Sequence, residues 1–86
     1  MFALAVSAMP IRPITLTWDA NLPEDNVAYY NVYGVPGGGV FILLGSTTST
    51  AYLEYEEIPG DWFYVVTAVN DQNEESGPSN EIVVTV

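Results

Sequence analysis

The chain has 86 residues, room for one small domain that buries roughly 60% of the surface its unfolded form exposes, which excludes a second domain and a deep enclosed active site. Hydrophobic residues make up 49% and aromatics 13%, too apolar for a disordered segment, and the absence of cysteine and histidine removes disulfides, thiol nucleophiles, the usual zinc ligands and the commonest general base. Eleven acids stand against one base, Arg12, for a formal net charge of −10; with no cluster of Lys and Arg, neither nucleic acid nor insertion at an anionic membrane is expected.

Phe2, Leu4 and Val6 alternate with Ala3, Ala5 and Ser7, the period of two that marks a strand with one buried face. No basic residue precedes this apolar run, which is at the short limit for a signal peptide and far too short to span a bilayer. After Pro10 and Pro13, alternation resumes in Ile14-Thr15-Leu16-Thr17-Trp18, with the large apolar residues on one side. Asp19 to Asn26 is rich in turn formers and acids and reads as a solvated loop. In Ala28 to Tyr33, Tyr30 and Val32 are expected to face inward and Tyr29, Asn31 and Tyr33 outward.

Pro36-Gly37-Gly38-Gly39 makes a hairpin turn, and it lacks the Lys and Ser/Thr that a phosphate-cradling loop requires after its glycines. Val40 to Leu44 is a continuous apolar run suited to a short strand, followed by a link through the Ser/Thr tract 46 to 50 to the next strand, Ala51 to Tyr55. The acidic turn Glu56 to Asp61 leads into the clearest strand signal, Trp62 to Val69, with Trp62, Tyr64, Val66 and Ala68 on one face. Asn70 to Pro78 is a polar loop, and Glu81 to Val86 closes the chain with Ile82, Val84 and Val86 inward. No segment has an apolar period of 3.6, and strands recur every dozen or so residues, so the expectation is a seven-stranded antiparallel sandwich occupying residues 1 to 86.

Leu16-Thr17-Trp18, Tyr30-Asn31-Val32-Tyr33, Tyr64-Val65-Val66-Thr67-Ala68-Val69-Asn70 and Glu75-Ser76-Gly77-Pro78-Ser79-Asn80-Glu81 together resemble a fibronectin type III domain of the bacterial and phage type, over essentially the whole chain. The resemblance implies an immunoglobulin-like sandwich with sheets ABE and C′CFG and the strand B tryptophan in the core. Where the family carries a tyrosine near the start of strand F whose hydroxyl bonds back to the backbone of the corner before it, this chain has Trp62, so the corner is expected to be held by other means. The adhesion tripeptide Arg-Gly-Asp is absent, because Arg12 is the only arginine.

Family membership alone gives no function, because such sandwiches serve as adhesives, spacers and virion components. Glu54, Glu56, Glu57 and Asp61 are close in sequence but read as a solvated turn without a substrate cleft, so no enzyme is expected. Asp19, Asp25 and Asn26, or Asp71, Asn73, Glu74 and Glu75, supply oxygens for calcium without the spacing of an EF-hand, and solvated loops are the expectation; no metal or cofactor is assigned. The candidate partner-binding surface is the outer face of strands C, F and G, where alternation places Tyr29, Tyr33, Phe63, Val65 and Val83 as one apolar patch; the plainer reading of these residues is cross-strand pairing.

The expected role is that of a non-enzymatic structural or interaction module. With Met1 as initiator it is a free-standing subunit of a larger assembly, such as a phage head-decoration or tail protein contacting virion coat or tail proteins, with homo-oligomers and edge pairing at strand A or G also open. The alternative is a spacer or weak glycan-binding accessory module of a secreted carbohydrate-active or cell-surface protein, with Tyr33 and Phe63 stacking on sugars. The corresponding locations are the virion or the extracellular and cell-surface space.

Overall fold

The computed structural model describes residues 13–56 and 59–86, and residues 6–9 as backbone. Its strands are β1 (Val6–Met9), β2 (Ile14–Trp18), β3 (Val27–Pro36), β4 (Ile42–Thr47), β5 (Ala51–Glu54), β6 (Asp61–Asn70) and β7 (Ile82–Thr85), with one 3₁₀ turn at Pro23–Asp25. They form a three-stranded sheet in the order β1-β2-β5 and a four-stranded sheet in the order β4-β3-β6-β7. Every pairing is antiparallel. In the family lettering these are ABE and C′CFG, the expected immunoglobulin-like arrangement. The strand expected over Phe2 to Ala8 coincides with β1 at Val6 to Ala8, and residues 2–5 lie outside the described residues.

Alternation produces the core directly. Ile14, Leu16 and Trp18 of β2, Tyr30 and Val32 of β3, and Trp62, Tyr64, Val66 and Ala68 of β6 are buried, joined by Val84 of β7. Trp18 meets Tyr30 edge to face, with ring centroids 5.3 Å apart and planes inclined at 68°, an arrangement that sets a positive ring edge against a negative face. Pairing of β3 with β6 runs from Val27↔Asn70 to Pro36↔Trp62 and forms the central ladder of the larger sheet.

The apolar run Val40 to Leu44 ends up at the sheet edge. β4 starts two residues later than the run and continues through Gly45, Ser46 and Thr47, part of the tract expected to be a link. Val32 pairs with Gly45 and Tyr33 with Leu43, so Leu44 is an extra residue at a bulge. The bulge lets Leu44 pack against the core while its neighbours Ile42 and Leu43 stay exposed.

The corner between β5 and β6 corrects two expectations. Tyr64 is fully buried and its hydroxyl donates to Glu56 Oε2 at 3.0 Å. A tyrosine hydroxyl does therefore reach this corner, from Tyr64 two residues beyond Trp62 and through the Glu56 side chain rather than the backbone, and Trp62 stacks on Tyr64 with centroids 6.2 Å apart. Glu56 is not part of a solvated turn, because the bond to Tyr64 holds its carboxylate inside the fold. Glu57 and Ile58 lie outside the described residues.

Candidate functional site

The outer face of the four-stranded sheet carries the residues that alternation leaves opposite the core. Tyr33 is paired with Leu43 of β4 on one side and Val65 of β6 on the other, and Phe63 lies between Val35 and Val83. Tyr33, Phe63, Val65 and Val83 are thus neighbours in register, half-buried except for Val83, which is exposed. Leu43 extends this surface to the β4 edge. Sequence reasoning did not include it, since a continuous apolar run carries no period to separate an outer residue from an inner one.

Tyr29 is set apart from the other four. Between it and Tyr33 lies the polar pair Asn31 and Thr67, over which Glu75 folds down from the loop before β7. One oxygen of Glu75 accepts from Thr67 Oγ1 at 2.5 Å, Tyr33 Oη at 2.5 Å and Asn31 Nδ2 at 3.3 Å. Ser46 Oγ donates to Asn31 Oδ1 at 2.6 Å, carrying the network to β4. The Thr67 bond, with that of Tyr33, holds the Glu75 carboxyl below the usual glutamate range, while the same carboxylate raises the Tyr33 phenol. Tyr29 directs its own hydroxyl to Asn73 Oδ1 at 3.5 Å. The face is therefore an apolar half around Tyr33 and Phe63 and a polar half around Glu75, in place of the single apolar patch expected.

In sequence Glu75 reads only as one of several loop oxygens, because its partners Asn31 and Tyr33 on the sheet face are 44 and 42 residues away. The loop that delivers it is fixed to β6 through two serines. Ser76 and Ser79 donate their backbone N–H groups to the carbonyls of Ala68 and Val66, and their hydroxyls accept from the N–H groups of the same two residues. Side chains thus continue the ladder where Pro78 has no N–H to offer.

The remaining acids make no metal site among the described residues, where no group of three His, Cys, Asp or Glu side chains could hold an ion. Asp25 accepts from Asn21, and Glu74 is tied to Asn70. At the opposite end from the glycine turn, residues 20–23, Asn26–Ala28, Tyr30, Thr48 and Thr50 line a shallow depression of about 290 Å³ with mixed polarity. No helix of the described residues is long and apolar enough to cross a membrane.

A scan of protein-family models and a search of curated proteins both return no match. Among solved structures, the chain is similar to an Fn3-like protein from Clostridium thermocellum, with 30% identity over 99% of this chain and 91% of that one and a TM-score of 0.78. It also superposes on part of a β-1,2-glucanase from Parabacteroides distasonis, with a TM-score of 0.82, 22% identity and coverage of 100% of this chain but 13% of that one. A third likeness is to the twitchin kinase region from C. elegans, with a TM-score of 0.68, 12% identity and coverage of 98% and 17% respectively. The latter two share the fold alone. Identity at the level of the clostridial protein, sustained along nearly the whole of both chains, establishes that this chain belongs to the fibronectin type III-like family.

Proposed function

We propose that this chain is a non-catalytic interaction module that presents the apolar half of the β4-β3-β6-β7 outer face to another protein. The observation that carries this reading is the placement of Tyr33, Leu43, Phe63, Val65 and Val83 on one outer surface of a chain with eleven acids. A sheet with one solvated face normally alternates apolar inward with polar outward. A contiguous apolar surface rimmed by polar groups is the usual mark of an interface. In the finer form of the reading, the module is a small subunit of a larger assembly such as a phage head or tail, and the partner is a virion coat or tail protein.

A second reading is favoured by the superposition on part of a β-1,2-glucanase: a spacer or weak glycan-binding module of a secreted or cell-surface protein. Size-exclusion chromatography with light scattering, on the chain alone and mixed with proteins of its source particle or cell envelope, separates the two. Co-elution that is lost in Val83→Glu and Leu43→Glu, with circular dichroism unchanged, supports the first reading. A monomer that ignores every protein but is retarded in gels containing β-glucan replaces it with the second.

A further inference from the structure

At one end of the outer face the turn Gly37–Gly39 folds back over the sheet. Gly37 N–H donates to the Asp61 carbonyl at 2.9 Å, and a methyl on Gly39 would lie 2.8 Å from Val35 Cγ2. A cleft of about 160 Å³ lies between the turn, Val35, Phe41, Phe63 and Glu81. That is well below the roughly 300 Å³ at which small-molecule pockets begin. The cleft has the capacity of a single side chain.

Its chemistry narrows which one. Val35 and the two phenylalanine rings give hydrocarbon walls, and among the described residues Glu81 is the only ionisable group lining the cleft. Glu81 is exposed, and among the described residues its carboxylate has no hydrogen-bond or ionic partner. An apolar side chain would fill the cleft but desolvate that carboxylate without compensation. A long basic side chain meets both demands, laying its methylenes against Val35, Phe41 and Phe63 and its cation beside Glu81, with the ring faces adding attraction for a guanidinium. The chain has no lysine and one arginine, and a second copy with a net charge of −10 would be repelled.

We infer that this cleft receives an arginine or lysine side chain of a protein partner with a basic contact surface. The inference rests on the reading of the outer face as the working surface and names the anchor that the partner brings to it. The test is amide NMR of the isotope-labelled chain titrated with Nα-acetyl-arginine methylamide, its lysine counterpart, and the neutral isostere Nα-acetyl-citrulline methylamide.

The expected result is saturable shifts confined to Gly37–Gly39, Phe41, Phe63 and Glu81 with the basic compounds, about fivefold weaker affinity in Glu81→Gln, and little response to citrulline. Shifts spread equally over Asp19, Glu24, Asp71 and Glu74, or unchanged in Glu81→Gln, overturn the inference in favour of general counter-ion attraction. An equal response to citrulline overturns the requirement for a cation. The titration needs no partner, so the cleft can fail here while Val83→Glu still abolishes co-elution. The face can equally fail in co-elution while the cleft binds arginine.

Discussion

The carboxylate of Glu56 is carried into the corner between β5 and β6, and burial pushes its pKa above the ordinary 4.5, with the Tyr64 bond partly offsetting the rise and nearby Glu54 adding to it. Tyr64 is raised in turn, by its own burial first and then by the bond to Glu56. Glu75 is shifted the opposite way, held below 4.5 by the hydroxyls of Thr67 and Tyr33. Linkage turns these directions into a stability profile. The folded state binds the Glu56 proton more tightly than the unfolded state does. The Glu56 contribution is therefore fully present below its unfolded pKa and is lost as pH rises through the higher folded value. Glu75 contributes above its unfolded pKa, and that contribution is lost as pH falls through its lower folded value. Urea titrations across pH are expected to show stability rising as pH falls toward the ordinary glutamate value of 4.5 and declining as pH falls further below it. Glu56→Gln should flatten the upper limb and Glu75→Gln the lower one. A profile whose two limbs survive both substitutions would place the linkage elsewhere.

At the scale of elements, the larger sheet is completed by side chains at both margins. On the β7 side, Ser79 Oγ is the acceptor at 2.9 Å for the N–H of buried Val66. Ser79→Ala strands that donor, and the expected cost is about 1–3 kcal/mol in chemical denaturation, against about 0.5 kcal/mol or less for an ordinary surface substitution. On the β4 side, Tyr52 of β5 crosses to the other sheet and donates its hydroxyl to the Leu44 carbonyl at 3.3 Å. A methyl on Gly45 would overlap that same hydroxyl oxygen. Gly45→Ala is therefore expected to destabilise by about 1–3 kcal/mol through overpacking, and adding Tyr52→Phe should recover part of the loss by removing the atom in the way. If Tyr52→Phe and Gly45→Ala are simply additive, the clash is not the cause. These two margins also show where sequence reading stops. Ile14, Leu16, Trp18, Tyr64 and Val66 were legible because a buried strand face imposes a period of two on a short local window. Glu75 on Tyr33, and Tyr52 over Gly45, depend on which strands become neighbours, and no local pattern encodes that. Trp62 drew the corner assignment because it begins the strand signal, whereas the hydroxyl that reaches Glu56 belongs to Tyr64 two residues on, on the same inward face. The β4 edge was misplaced because an unbroken apolar run carries no phase, so the bulge at Leu44 and the outward turn of Leu43 leave no trace in it.

Across the whole molecule the charge is unevenly placed. Every residue from Val27 to Leu53 is uncharged, so the β3-β4 hairpin carries none of the eleven acids, which lie before it in the 19–26 loop and after it from Glu54 onward. The one base, Arg12, lies outside the described residues. The acidic loops 19–26 and 70–75 are brought together, since Asp71 N–H donates to the Asn26 carbonyl at 3.0 Å. Folding therefore gathers like charges that the extended chain keeps apart, and self-repulsion opposes the compact state. The Debye length shrinks from about 30 Å at 10 mM salt to about 8 Å at 150 mM, so sodium chloride should screen repulsion between loops more than it weakens the short bonds of Glu75 and Glu56. The thermal midpoint at neutral pH is expected to rise over that range. Asp19→Asn with Asp71→Asn, both exposed and on the two apposed loops, should raise the midpoint at 10 mM salt and reduce its response to added salt. The same screening should weaken binding of the arginine compound at Glu81, so one addition of salt strengthens the fold and loosens the contact. A midpoint independent of salt, or one that falls, would mean that the acids are already far enough apart for solvent to separate them, and the reason for the charge-free hairpin would then lie in its contacts alone.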